Sequence, residues 1–295
     1  MNLRDLRYLV ALAETQHFGQ AAQRCHVSQP TLSAQLKKLE NYLGAPLIER
    51  QPRRITLTPL GLQVVVRARR LLAEADDIQS LARTHRDPLA GKLGMALIPT
   101  VGPYLLPGIA PRLRRRLPKL KLQLFEHQTA PLLDKLHAAE FDLGILALPV
   151  EDEGLATRPL YEEPFVVAMP EKHRLAAQDT IRRSDIEGET LLLLEDGHCL
   201  RDQALEVCSR LRVHEDQDYR ATSLETLRQM VASGAGITLL PELSTIGPFS
   251  HTRGLVIRPF TRPVPGRTIG LAWRRSTTRE AAIRAVSDII AEAMK

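Results

Sequence analysis

Over the first sixty residues, apolar positions recur at helical spacing three times. Leu6, Leu9, Val10 and Ala13 form one stripe, which predicts a helix over residues 3–15. Phe18, Ala21, Ala22 and Cys25 form a second, shorter stripe, and Leu32, Leu36, Leu39 and Leu43 form a third. Between the last two, His26-Val27 breaks the run, and Ser28 stands where an N-cap belongs, just ahead of Gln29-Pro30. Proline costs little there, because the first-turn amides of a helix have no intrahelical partner. Gly44 is the expected C-terminal stop. Cys25 falls on an apolar stripe, where a thiol packs as a small hydrophobe, so no redox role is expected of it.

The polar positions of the third helix carry the first chemical information. Gln29, Pro30, Thr31, Ser33, Gln35, Lys37 and Lys38 lie off its apolar stripe, and no carboxylate precedes Glu40. Amides and hydroxyls suit base edges and cations suit phosphates, so this face fits a DNA major groove. Helix, short helix, tight turn and polar-faced helix make the helix-turn-helix layout. PLIERQPRRITLT follows, with two β-like runs around Gln51-Pro52 that bear Arg50, Arg53 and Arg54. It reads as a wing that grips backbone phosphate. The charge distribution agrees. The 295 residues carry 40 Lys+Arg against 34 Asp+Glu, a net +6, and residues 1–87 hold 13 and 8 of these, or +5. A basic head on a near-neutral body suits a polyanionic partner. A plain three-helix core with solvated lysines is the blander alternative.

Thr58-Pro59 is a helix start, and Leu60, Val64, Ala68, Leu71, Leu72, Ala75, Ile78 and Leu81 keep the period to about residue 86. Such a helix runs about 40 Å. Outside a domain it has to bury its stripe, and a second copy of the chain is the economical partner. The resulting homodimer sets two reading heads on one duplex. Residues 83–87, ending at Pro88, read as a hinge. Beyond it, strands are expected at residues 93–98, 120–125, 142–148, 163–169, 190–194, 237–240, 255–257 and 268–273. Helices are expected at 104–117, 131–139, 200–211, 224–233 and from 278 onward. This alternation means an α/β body with mostly parallel sheets. The expected division is 1–58 for the head, 59–87 for the dimerising linker and 88–295 for the body.

Composition narrows the function classes. At 44% hydrophobic and 25% charged the chain is ordinarily globular. No uncharged apolar run approaches the ~18 residues of a membrane helix. Arg4, Asp5 and Arg7 stand where a signal peptide would carry its apolar core. Three cysteines are too few for a secreted disulfide framework, so a cytoplasmic protein with no membrane partner is expected. The nine histidines show no ligand spacing, so no metal and no other cofactor is expected.

LLLLEDGHCLRDQALEVC holds the remaining chemistry. Cys199 sits at a turn where a helix begins, beside His198 and Arg201, an electropositive setting of the kind that favours thiolate over thiol. Cys208 shares the inward stripe Ala204, Val207, Cys208 and Leu211. Oxidation of Cys199 to a sulfenic acid, resolved by a second thiol, is one reading of the pair. Two unrelated cysteines, one at the surface and one in the core, is the other. A thiol peroxidase or reductase would need neither the basic head nor the helix-turn-helix, and no CxxC motif is present.

HFGQAAQRCHVSQPTLSAQLKKLENYLGAPLIERQPRRITLTPLG resembles the winged helix-turn-helix of LysR-type transcriptional regulators. GHCLRDQA, the cysteine nine residues later, RATSLETLRQMVASGAGITLLP, IPTVGPYLLP and RTIGL extend the resemblance to the hydrogen-peroxide-sensing branch of that family over essentially the whole chain. The resemblance implies a two-lobed, Rossmann-like regulatory domain of the periplasmic-binding-protein kind behind a dimerising linker helix. It implies a peroxidatic Cys199 and a resolving Cys208, with Thr100 and Thr129 polarising peroxide, His198 beside the sulfur and Arg267 nearby. It also implies promoter DNA, RNA polymerase and a thiol reductant as partners, and a homodimer that pairs into a homotetramer. Peroxide is then a signal and not a metabolised substrate, so the protein is expected to be no enzyme. A LysR-type regulator that binds an organic effector between the lobes is the rival expectation.

Overall fold

The protein is described from a computed structural model. It covers residues 1–51, 54–84, 87–209, 211–247 and 251–294, with the backbone alone at 50, 51, 54, 76, 77, 79–84 and 216–219. The chain divides into two compact units, residues 1–87 with 137–140, and residues 88–136 with 141–295.

The first unit opens with α1 (Leu3–Thr15), α2 (Phe18–Arg24) and α3 (Gln29–Leu43). Each start is capped by a side chain. Asn2 and Asp5 form a reciprocal capping box, His17 Nδ1 accepts from Gly19 and Gln20, and Ser28 accepts from Thr31. The helix α3 ends at Gly44 in the left-handed region, as its position predicts. Leu9, Leu12, Ala21, Leu32, Leu36 and Leu39 make the core. Leu43, counted in the stripe by spacing, is exposed because it falls on the last turn.

The hairpin β1 (Ile48–Gln51) and β2 (Arg54–Leu57) follows, with Ile48 opposite Leu57. Then comes α4 (Pro59–Thr84), whose N-cap Thr58 accepts from the Gly61 amide and donates to the Pro46 carbonyl. Gly61 is required by close approach: any Cβ there would collide with the Leu47 carbonyl oxygen. The helix is not the lone arm its length suggested. Val65 and Ala68 are buried and Leu72 half-buried on the side that packs on α1, while Leu62, Leu71 and Ile78 stay exposed, Ile78 at 67%. The stripe thus splits into a face used within the unit and a face without a partner among the described residues.

The second unit is a two-lobed α/β domain. The first lobe holds β3 (Gly91–Leu97), α5 (Gly102–Arg116), β4 (Leu120–Glu126), α6 (Thr129–His137) and β5 (Leu143–Leu148). A 16-residue strand, β6 (Leu155–Pro170), then runs from this lobe into the second. The second lobe holds β7 (Thr190–Leu194), α7 (Cys199–Cys208), β8 (His214–Ala221), α8 (Leu224–Ala232), β9 (Thr238–Pro241) and β10 (Leu255–Pro259). The chain returns through β11 (Gly266–Arg274) and ends in α9 (Glu280–Ala293). Each lobe has its own core, Leu93, Met95, Ile145 and Ile283 being typical of the first and Val167, Leu192, Leu227 and Leu239 of the second.

The sheets are mixed, which corrects the expectation of mostly parallel ones. Strands β3–β4, β3–β5 and β7–β8 pair in parallel, but β11 is antiparallel to β5 and β6, and β6 is antiparallel to β9 and β10. The cause is the double passage between lobes: β6 leaves the first lobe and β11 returns beside it, so the two run in opposite directions. The first half of β6, LATRPLYE, escapes sequence reading because it is half-exposed and interrupted by Pro159. Strand β8, HEDQDYRA, offers no apolar alternation at all. Among the described residues, no helix is long and apolar enough to cross a membrane, and no cluster of three or more metal-ligating side chains occurs.

Candidate redox site and DNA-reading face

Helix α7 carries both cysteines of the second unit, one at each end. At about 100° per residue, nine steps turn the helix about two and a half times, so the two thiols face opposite ways. Cys199 is half-buried and packs against the core of the first lobe, although its helix belongs to the second. Cys208 is 2% exposed in the core of the second lobe, with Ala204 and Leu200 one and two turns before it. Burial pushes the Cys208 thiol up to about 11, against a smaller opposing pull from Arg183. Both thiols are free.

The turn that presents Cys199 depends on Gly197, whose φ of 96° is in the left-handed region. A Cβ there would stand 2.7 Å from Gln128 Oε1, so the turn sits tight against the first lobe. Arg201 does not serve the thiol as its place in the sequence suggested. Its guanidinium is engaged by Asp196 at 2.9 Å and Glu215 at 2.7 Å, so its charge is compensated by two carboxylates.

Cys199 lines a cavity of about 550 Å³ together with Thr129, Gln203 and Arg267. Thr129 Oγ1 and Gln203 Oε1 are buried and hydrogen-bond to nothing among the described residues, an unsatisfied donor–acceptor set beside a thiol. Arg267 is fixed from behind. Its Nε and Nη2 bind Glu163 Oε2 at 2.8 and 2.7 Å, Nη1 donates to Thr100 Oγ1 at 2.9 Å, and Nη2 donates to the Thr100 carbonyl at 3.1 Å. Burial raises the Glu163 carboxyl above its ordinary range, and Arg267 pulls it the other way. Thr100 is itself buried and touches the cavity through Arg267.

His198 goes elsewhere. It lines a second cavity, of about 440 Å³, with Tyr104, Glu126, Glu195 and Glu225. Its nearest carboxylate is Glu195, 4.0 Å from Nε2, and burial lowers its pKa, so the ring is held neutral. The structure thus brings Cys199, Thr129 and Arg267 together directly, and Thr100 through Arg267. It sets His198 on another wall and Cys208 on the far side of the helix. Gln203 and Glu163 are the members that sequence reasoning missed. Gln203 was legible in principle as one helical turn beyond Cys199, whereas Glu163 meets Arg267 across 104 residues.

In the first unit, Gln29, Pro30, Thr31, Lys37 and Lys38 are exposed on α3, and Ser33 and Gln35 are half-exposed beside them. Thr31 is partly committed to structure, since its hydroxyl lies 2.7 Å from that of Ser28. Glu40 does not interrupt this face. It is buried, and its Oε1 accepts from the amides of Leu47 and Ile48 at 2.9 and 3.2 Å, tying α3 to the hairpin. Its Oε2 lies 3.7 Å from Lys37 Nζ. Arg53 falls outside the described residues, as do the side chains of Arg50 and Arg54.

Residues 3–62 match the bacterial regulatory helix-turn-helix proteins of the lysR family, and residues 86–295 match the LysR substrate binding domain. The chain belongs to the LysR family of bacterial regulators. Among its relatives, the DNA-binding transcriptional dual regulator OxyR of Escherichia coli strain K12 is 49% identical over 274 residues, 93% of this chain and 90% of that one. A full-length OxyR variant from Pseudomonas aeruginosa has a similar structure, with a TM-score of 0.79 at 42% identity, covering 98% of this chain and 94% of that one. A hydrogen peroxide-bound OxyR mutant from Corynebacterium glutamicum gives 0.69 at 36% identity, covering 99% and 92%. Within the LysR family, the chain belongs to the OxyR branch.

Proposed function

We propose that this protein is a peroxide-responsive, DNA-binding transcription regulator, in which Cys199 is the sensing nucleophile and Cys208 the resolving thiol. The observation that carries the reading is a half-buried thiol sharing one cavity with a partnerless buried hydroxyl, Thr129, and a fixed guanidinium, Arg267. The Cys199 thiolate attacks one oxygen of hydrogen peroxide. The S–O bond forms, the O–O bond breaks, and the departing hydroxide takes a proton and leaves as water. Thr129 donates to the departing oxygen, and Arg267 stabilises the developing charge. Thr100 positions Arg267, and His198, neutral, lines the other cavity. Cys208 then gives up its proton and attacks the sulfenic sulfur, so that S–S forms, S–O breaks and water leaves.

One such cycle occurs per activation, and a thiol reductant resets it, so peroxide acts as a signal. The exposed face of α3 from Gln29 to Lys37 enters the major groove, and the arginines 50, 53 and 54 of the hairpin take phosphate. The apolar face of α4 left open by Leu62, Leu71 and Ile78 fits a second copy of the chain, so that a homodimer, and pairs of dimers, address promoter DNA in the cytoplasm together with RNA polymerase. Mass spectrometry after brief peroxide exposure tests the chemistry. Cys199→Ser should lose oxidation, Cys208→Ser should retain a long-lived sulfenic acid at Cys199, and Cys25→Ser should behave as the parent. Oxidation persisting in Cys199→Ser would overturn the choice of nucleophile.

A further inference from the structure

The cavity at Cys199 has a rim of one sign. Glu151, Asp152 and Glu162 line it from the first lobe, and Asp202 and Glu206, four residues apart on one face of α7, line it from the second. The one cation among its described lining residues is Arg267, which is 4% exposed and ion-paired to buried Glu163. Glu162 accepts from the neutral Thr268 hydroxyl, which leaves its charge in place. Glu151, Asp202 and Glu206 are exposed, with no basic partner among the described residues. Thr129 and Gln203 line the same cavity, and their side-chain oxygens are buried and hydrogen-bond to nothing among the described residues.

We infer that the acidic rim is a charge filter that sets which oxidants and which thiols reach Cys199. This rests on the reading of Cys199 as the reacting sulfur. A cleft lined by one sign of charge focuses its field and changes the local concentration of charged solutes by about tenfold or more. Hydrogen peroxide is uncharged at neutral pH and crosses without penalty. Anionic peroxy acids are held off, and so are anionic small thiols that would otherwise capture a sulfenic acid at Cys199 as a mixed disulfide. Cys208, tethered and uncharged as a thiol, is thereby left without competition. The rim residues touch neither peroxide nor sulfur, so they determine specificity and take no part in the chemistry.

The filter is measured with a pair of methanethiosulfonate reagents of opposite charge and comparable size. Cationic (2-trimethylammonium)ethyl and anionic 2-sulfonatoethyl methanethiosulfonate both transfer their thioalkyl group to a thiolate, which forms one S–S bond and releases methanesulfinate. Full-length protein carrying Cys25→Ser and Cys208→Ser reports on Cys199 alone. With each rate normalised to a small free thiol, the cationic reagent should react about tenfold faster in ~0.01 M salt, where the Debye length is about 30 Å. The ratio should approach one in ~1 M salt, where that length is about 3 Å, an arm that needs no rim substitution. In the Glu151→Gln, Asp202→Asn, Glu206→Gln triple variant the low-salt ratio should fall severalfold, while the rate with hydrogen peroxide changes less than about twofold. A ratio near one in the parent at low salt, or a ratio insensitive to both salt and the triple variant, overturns the filter. Failure of hydrogen peroxide to oxidise Cys199 at all would instead overturn the sensing role, whatever the reagent ratio.

Discussion

A disulfide between Cys199 and Cys208 cannot form on α7 as it stands, and the size of the mismatch can be worked from the helix. Nine steps of 1.5 Å separate the two α-carbons by about 13.5 Å along the axis. A disulfide needs them within about 4.4–6.8 Å. The helix must therefore unwind before the second thiol reacts, releasing Leu200, Ala204, Leu205, Val207 and Cys208 from the second lobe's core. Ala204→Gly probes that opening. Glycine in a helix interior costs about 1 kcal/mol relative to alanine, and the lost buried methyl removes about 1 kcal/mol more of what favours the closed form. Opening then becomes easier by about 2 kcal/mol, which is about 25-fold in its equilibrium. Rapid mixing with peroxide, followed by quenching and thiol counting, separates the two steps. Sulfenic acid formation should keep its rate, and loss of the second thiol should accelerate by up to about 25-fold. If hydrogen exchange showed α7 loosened while the second thiol disappeared no faster, opening would not precede the disulfide and the reasoning would fail.

Other outcomes follow from the same structure. Glu40→Ala strands two buried amides, those of Leu47 and Ile48, and should destabilise the first unit by about 3 kcal/mol and weaken DNA binding; denaturant unfolding and fluorescence anisotropy check the two effects. Ser33→Asn or Arg50→Trp should abolish specific promoter binding with dimers and thiol chemistry intact, and unchanged affinity would remove the assignment of those faces. The Cys208 thiol, ordinarily at 9.0, is held at about 11 in the folded chain. Below pH 9 both states keep the proton and the group has no effect on stability. Between 9 and 11 the unfolded thiol ionises first, so stability should fall by up to about 2.7 kcal/mol more than in Cys208→Ala, measured by denaturant unfolding across that range.

The first unit was almost wholly legible because its determinants are local. Ser28, Pro30 and Gly44 mark the ends of α3 through caps that act within three residues, and the structure uses each where it stands. The second unit was legible wherever a strand is apolar, and illegible where the fold supplies the reason for pairing. Strand β8 is polar and pairs with β7 from the sheet's margin, and the first half of β6 is held by β11, more than a hundred residues away. The site divides in the same way. Both cysteines, Thr129 and Arg267 could be named from motifs, but the Arg267–Glu163 pair and the acidic rim arise from contacts between distant segments. Periodicity also overstated what α4 leaves open, because it could not tell which turn of the stripe meets α1.

The placement of the two thiols gives the switch its sharpness. Cys199 belongs by sequence to the second lobe and by packing to the first, whereas Cys208 is buried wholly in the second. A bond between them has to draw Cys199 off the first lobe or Cys208 out of its core, and either movement unwinds the helix that joins them. Partial movement satisfies neither end, since a part-way approach would still leave several ångströms to close before the bond could form. The turn before Cys199, which Gly197 closes, is seated beside the Gln128 side chain of the first lobe. Packed interfaces of this kind are bistable and do not deform continuously, so oxidation selects between two arrangements of the lobes' contact. On the proposed reading, the sensor's output is a change in how one lobe bears on the other, set by whether α7 is closed.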